Sequence, residues 1–223
     1  GPGRGQGGAD RRSGQRTAQA CAATGAALEH PDAVGRAFAS GMAATSSLLV
    51  GLLKAGSHVI APREVYGGTW TLLTRQLARY GVETSFVDQT DLSAVRAAVR
   101  PETGLLWAEV LANPTMSVAD LPGLSAIALE AGVPFAVDAT FASPVVCRPL
   151  EHGADLVMHS ATKYLGGHSD ATGGVVVGSA ELLEAIRHAR LDLGGALAPD
   201  EAALLSRGLQ TLPLRVSRQC ATA

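Results

Sequence analysis

The sequence predicts an α/β fold, a mostly parallel sheet flanked by helices, and three observations carry that expectation. From about residue 38 onward, helix-period and strand-like segments alternate along the chain. The run 133–137 is apolar throughout, which suits a strand buried on both faces. At 223 residues, with 47% hydrophobic and 17% charged side chains, the chain can bury a substantial core.

The opening residues 1–16 are rich in glycine and arginine and lack apolar periodicity, so a mobile arm is expected there, and 1–35 as a whole is read as a mobile N-terminal arm ahead of the main domain. Residues 42–54 read as a helix, 58–61 as a strand and 69–80 as a second helix. Strands are predicted over 83–87 and 105–110, with a short helix over 92–99 between them. A helix over 119–131 precedes the apolar strand 133–137, and shorter strands follow at 155–158 and 174–177. Residues 180–193 read as a helix. This β-α-β rhythm implies helices on both faces of the sheet, with ligands bound at the carboxyl ends of the strands.

The net charge of −2 gives no footprint for nucleic acid or an anionic membrane surface. No run reaches the length of a transmembrane span, and the opening residues lack the charged-then-apolar layout of a signal peptide. Cys21, Cys147 and Cys220 are widely spaced and odd in number, which argues against a disulfide framework or paired metal ligands. His152, His159 and His168 fall at irregular spacing with no cysteine or acidic cluster to complete a metal set, so no metal is expected. A reducing, cytoplasmic setting follows as the expectation.

Of 18 basic residues only Lys54 and Lys163 are lysines. Arginine stays protonated in proteins, whereas lysine can lose its proton and its amine can condense with an aldehyde. Lys54 has a plain reading as the charged end of a helix before Gly56. Lys163 lies instead in His159-Ser-Ala-Thr-Lys163-Tyr-Leu-Gly-Gly-His168, on a loop after a short strand, flanked by the hydroxyls of Ser160 and Thr162. Hydroxyls can donate to a phosphate and glycines permit close backbone approach, although the bare Ser-x-Thr-Lys pattern equally describes a solvated turn. Asp138 directly follows the apolar strand. It either caps a turn or is a carboxylate held in a crevice to pair with a cationic ring nitrogen. Ser40-Gly41-Met42 opens a helix with small residues, an ordinary N-cap or a phosphate cradle. Tyr66 before Gly67 and Gly68 either stacks on a planar ring or closes a loop.

The order of these segments is more specific than any one of them. "FASGMAA", "VYGGT", "ANPT", "VDATFASP", "PLEHGADLVMHSATKYLGGHSD" and "RGLQTLPLR" resemble the pyridoxal-phosphate enzymes of cysteine and methionine metabolism, the trans-sulfuration family, from about residue 36 to the end. The resemblance implies the type I pyridoxal-phosphate architecture, with residues 36–212 as its cofactor-binding large domain and 213–223 as the start of a C-terminal domain cut short. It implies pyridoxal 5'-phosphate as cofactor, Lys163 as the lysine that carries it and moves protons, and Asp138 as the partner of the ring nitrogen. Tyr66 would stack on the ring and assist proton transfer, and Asn113 would face the ring oxygen or the substrate. Gly41, Met42, Ser160 and Thr162 would hold the phosphate, with Arg12 reaching into a neighbouring subunit's phosphate site. Family members are homotetramers, dimers of dimers, so a homo-oligomer is implied for the full-length relative.

By resemblance the expected activity is a carbon–sulfur lyase acting on cystathionine or a related sulfur amino acid by γ-elimination. Cystathionine γ-synthase or acylhomoserine sulfhydrylase, transferases by γ-replacement, are the alternative on the same scaffold. Gly68 stands where methionine γ-lyases often carry cysteine, which favours cystathionine. Departures from the family pattern are Asp10 where a tyrosine is usual, Ala139 where asparagine is usual, and a chain that stops at Ala223, before the arginine that grips the substrate carboxylate. Arg215 and Arg218 do not match that arginine. The alternative from another class is a truncated, inactive remnant, which Asp10, the glycine- and arginine-rich start and the stop at Ala223 favour.

Overall fold

The computed structural model describes the backbone of residues 6–223 and the side chains from residue 16 onward. Helix α1 (Gln6–Glu29) leads into strand β1 (Val34–Phe38), and α2 (Gly41–Leu52) into β2 (His58–Pro62). A helical stretch then changes register twice, from α3 (Gly67–Thr71) through a π segment (Leu72–Gln76) to a 3₁₀ turn (Leu77–Tyr80). Then come β3 (Glu83–Val87), α4 (Leu92–Ala97), β4 (Thr103–Glu109), α5 (Leu121–Ala131), β5 (Phe135–Asp138) and α6 (Ser143–Val146). After a 3₁₀ turn (Pro149–His152), β6 (Leu156–Ser160) and β7 (Gly174–Gly178) precede α7 (Ala180–Asp192), α8 (Pro199–Leu209) and α9 (Leu212–Thr222).

The strands form one sheet in the order β1-β7-β6-β5-β4-β2-β3. The pairs from β3 through β2, β4 and β5 to β6 are parallel, whereas β7 runs antiparallel to both β6 and β1. A parallel return needs a crossover, usually a helix. The loop 161–173 between β6 and β7 supplies none and carries Lys163 instead.

Local chemistry explains the helix limits. The Asp120 carboxylate caps α5 by accepting from the Gly123 N–H at 3.1 Å, so the helix begins after Asp120 and not at Ala119. Gly132 ends it in the left-handed conformation, φ 66°. Serine caps open α2 and α7 in the same way, through Ser40 and Ser179.

Strand β4 shows how the sheet divides the core. Leu105 and Trp107 pack on one face with Phe38, Leu48 and Ile186, and Leu106 and Ala108 pack on the other with Ile127 and Phe135. That alternation is the two-residue period of a strand, and each large side chain so buried stabilises by about 1.5–3 kcal/mol.

The expectation of a mobile arm over 1–35 is not what the described residues show. Ala18, Cys21, Ala22 and Ala26 form a buried stripe of α1 against β1 and β7, in one cluster with Val175, Val177, Leu205 and Leu212. The stripe consists of small residues, so it lacks the bulky periodic signal of an amphipathic helix, yet smallness is what lets α1 lie close to Gly35. No described helix is long and apolar enough to cross a membrane.

Candidate active site

The carboxyl ends of β4, β5 and β6 and the first turn of α2 enclose a cavity of about 390 Å³. Gly41, Met42, Tyr66, Asn113, Asp138, Ser160, Thr162 and Lys163, eight of the nine residues predicted from sequence, all line it. The ninth is Arg12, whose side chain lies outside the described residues.

One end of the cavity is built for an anion. The Ser40 hydroxyl accepts from the Ala43 N–H and the Ser40 carbonyl from the Ala44 N–H, both at 3.0 Å. The Gly41 and Met42 amides are then left with no carbonyl to bond within the helix. A Cβ on Gly41 would lie 2.7 Å from the Ser160 Cβ and Oγ, so only glycine lets the helix start meet the end of β6 this closely. Unbonded amides at a helix start attract negative charge.

Lys163 sits on a turn fixed from three sides. Its N–H donates to the Ser160 carbonyl at 3.1 Å, and its carbonyl accepts from the Gly167 N–H at 2.8 Å. Thr162 Oγ1 bonds both the carbonyl and the N–H of Gly173, at 3.3 and 3.1 Å. From α9, Arg215 donates to the Tyr164 carbonyl at 2.8 Å and the Gly208 carbonyl at 2.7 Å. Arg215 therefore staples the chain just after Lys163, which gives the "RGLQTLPLR" segment a structural reason that sequence alone did not supply. The histidines go elsewhere: buried His159 bonds Glu29, and His168 Nδ1 bonds the Gly166 carbonyl at 2.7 Å. Among the described residues there is no group of three or more His, Cys, Asp or Glu side chains able to hold a metal ion.

The third feature is a pair of acids. Asp138 and Glu109 are direct neighbours in the parallel register of β5 and β4. Burial pushes the Asp138 carboxyl above its ordinary range, opposed by hydrogen bonds from Thr140 and the charge of His159. Burial pushes Glu109 up to about 8, helped by the negative charge of Asp138 and opposed by backbone hydrogen bonds from Tyr66 and Asn113. Among the described residues neither acid is ion-paired. Thr140 ties this end to β6, its N–H donating to Asp138 Oδ1 at 2.9 Å and its hydroxyl accepting from the Ser160 N–H at 2.8 Å.

Sequence reasoning missed Glu109, Thr140 and Arg215. For Glu109 a signal existed, because an acid directly after the apolar run Leu105–Ala108 repeats the pattern that singled out Asp138. Reading the strand through to Val110 placed Glu109 inside it and hid that signal.

Such a cavity suits a flat ligand that is anionic at one end and carries a basic ring nitrogen at the other, with a lysine amine at hand. The donor set fits pyridoxal phosphate: orphaned amides with Ser160 for its phosphate, and for its ring nitrogen the half-buried Asp138 carboxyl, which has no ion-pair partner among the described residues.

Comparison with known proteins bears on the same question. The family described as Cys/Met metabolism PLP-dependent enzyme matches residues 3–223, so the likeness begins well before residue 36, where the motifs become recognisable by eye. A canavanine gamma-lyase of Rhizobium leguminosarum bv. trifolii (strain WSM2304) is 49% identical over 188 residues, 83% of this chain and 47% of that protein. An L-methionine gamma-lyase of Pseudomonas putida is 48% identical over 200 residues, 89% of this chain and 50% of that protein. The crystal structure of cystathionine gamma-lyase from Lactobacillus plantarum complexed with L-serine superposes with a TM-score of 0.87 at 42% identity, covering 92% of this chain and 53% of the other. The chain thus spans about half the length of the curated relatives it matches.

Proposed function

Given that the chain belongs to the Cys/Met metabolism PLP-dependent enzyme family, we propose that its cavity binds pyridoxal 5'-phosphate through Lys163 and serves a carbon–sulfur lyase. The substrate is cystathionine or a related sulfur amino acid, and the reaction is γ-elimination. The observation that carries this reading is the convergence, in one cavity, of Lys163, the unpaired acid Asp138 and the orphaned amides of α2.

Each residue has a defined task in the proposal. When bound, the cofactor supplies an electron sink for the bonds broken in the substrate. Lys163 anchors it through its amine and, once released by substrate, moves the proton from the α-carbon. Asp138 accepts a hydrogen bond from the ring nitrogen and keeps that nitrogen protonated. The amides of Gly41 and Met42 and the hydroxyl of Ser160 hold the phosphate. Thr162 joins them by exchanging its 3.3 Å bond to the Gly173 carbonyl for a phosphate oxygen. The half-exposed Tyr66 ring covers the cofactor and assists proton transfer near the leaving group. Asn113 faces the ring oxygen or the substrate, and Arg12 completes the phosphate site of a neighbouring copy in a homo-oligomer, with the homotetramer as the full assembly. A cytoplasmic setting completes the proposal.

The test is an absorption spectrum after adding pyridoxal phosphate, followed by borohydride reduction and peptide mapping. A yellow band trapped on Lys163, and absent from Lys163→Ala, supports the reading. Label on Lys54 in place of Lys163 sinks it. Assay of cystathionine and canavanine for oxo-acid release, against an acylhomoserine plus cysteine, then separates elimination from γ-replacement.

A further inference from the structure

Glu109 lines the cavity yet has no part in the assignments above. Glu109 is 4% exposed, and a buried carboxyl is costly unless it is hydrogen-bonded. Its own main chain is held by a side chain on one side, and its carboxyl holds main chain on the other. Behind it, the buried side chain of Gln89 accepts from the Glu109 N–H at 3.1 Å and donates to the Glu109 carbonyl at 3.0 Å, pinning the end of β4 as another strand would. In front, Glu109 Oε1 accepts from the Tyr66 N–H at 2.7 Å, and a second backbone hydrogen bond comes from Asn113. Tyr66 belongs to the loop after β2 and Asn113 to the loop after β4. A second link between these loops joins Glu64 to the hydroxyls of Thr115 and Ser117 and is exposed to competing water.

We propose that Glu109 is a positioning residue for the cavity: its carboxyl holds the main chain of Tyr66 and Asn113, so that the aromatic ring and the amide side chain meet the bound ligand in fixed register with Asp138. The ligand in question is pyridoxal phosphate, so the inference rests on the reading given under Proposed function. The position of the acid also explains why it is not a second counter-ion. It is a register neighbour of Asp138, and two like charges so placed repel, so the pair is most stable with the charge on one of them and the proton on the other. A protonated carboxyl keeps a carbonyl oxygen that accepts from Tyr66, and glutamine reproduces that acceptor with nearly the same shape. Aspartate keeps the acid but withdraws it by one methylene.

Hydrogen exchange at the Tyr66 amide, measured on the full chain without cofactor, reads this hold directly. Glu109→Asp is expected to speed that exchange about tenfold, the loss of one hydrogen bond, and to weaken pyridoxal phosphate binding by a similar factor. Glu109→Gln is expected to stay within about threefold of wild type in both, since it restores the acceptor. Amides of α5, remote from the contact, are to be unchanged in either variant. The proposal is overturned if Glu109→Asp protects Tyr66 as wild type does, or if Glu109→Gln loses protection as fully as Glu109→Asp. Should Glu109→Asp not fold, Gln89→Ala loosens Glu109 from outside the cavity and must speed Tyr66 exchange; unchanged exchange there also overturns it. Failure of the wild-type chain to take up pyridoxal phosphate is a separate result. It removes the cofactor reading and leaves Glu109 to be judged on the Tyr66 amide.

Discussion

Beneath α1, Glu29 is fully buried with its Oε1 2.5 Å from His159 Nε2, whereas in the cavity Glu109 is buried beside another acid with no ion-pair partner among the described residues. The two glutamates are alike in burial and differ in what they face. Glu29 closes the C-terminal end of a helix onto β6, joining segments 130 residues apart. Its Oε1 bond is internal and fastens structure, while Glu29 Oε2 and His159 Nδ1 are buried with no hydrogen-bond partner among the described residues. Glu109 and Asp138 line open volume with hydrogen bonds but no ion pair among the described residues, so a salt-bridging cation there has to come from a ligand. A buried acid joined to a histidine inside the fold marks architecture; a buried acid lining a cavity beside a second acid marks a site.

The largest expected effect breaks the first member of that comparison. Removing one partner of a buried pair strands the other, so Glu29→Leu is expected to cost about 3–5 kcal/mol in urea denaturation. Replacing both, with Glu29→Leu and His159→Leu together, is expected to cost less than Glu29→Leu alone. A double variant that is the less stable of the two would show that His159 is not held for Glu29.

In the cavity the expectation reverses. Asp138→Asn relieves the crowding of two acids, so the cofactor-free chain is expected to be no less stable than wild type by the same denaturation assay. Pyridoxal phosphate binding is expected to weaken by about 1.5–3 kcal/mol, the worth of a hydrogen bond to a charged group. Equal affinity in the variant would remove Asp138 from the cofactor site.

The last comparison separates the two regions by pH. The carboxyl of Glu109 titrates near its ordinary 4.5 when unfolded and at about 8 when folded. Below 4.5 both states hold the proton and its contribution to stability is complete. Between 4.5 and about 8 the native chain keeps a proton that the unfolded chain has released, so stability falls as pH rises. The slope from this one group is at most about 1.4 kcal/mol per pH unit. Asp138, also raised by burial, adds to it in the same direction. Denaturation midpoints from pH 5 to pH 8 are expected to fall less steeply in Glu109→Gln. An unaltered slope would show that the carboxyl does not hold its proton in the fold.

Much of this site was legible beforehand because its chemistry needs particular residues in particular places. Lys163 stood out in a chain that uses arginine for almost every other positive charge, and Asp138 stood out after an apolar strand. Small residues at 40–42 suggested an N-cap or a phosphate cradle, and the structure adds what glycine at position 41 admits, the side chain of Ser160. Other parts were unreadable for stated reasons. The stripe of α1 consists of small residues, and the helical stretch 67–80 kept one hydrophobic pattern while its hydrogen bonding changed register twice.

The sequence by itself determined every strand except β1, the helices α2, α4, α5 and α7 with the helical stretch 67–80, their alternation along the chain, the position of Lys163 on a loop after a strand, and an acid at the end of the central strand. Tertiary structure alone decided that β7 runs against its neighbours, that Glu109 stands beside Asp138, that Glu29 finds His159, and that Arg215 returns from α9 to hold the turn after Lys163. The physical reason lies in what each level encodes. Periodicity and capping are set by residues within a turn or two of each other, so they are written locally. A partner across the sheet is set by strand order and register, which depend on the packing of the whole chain.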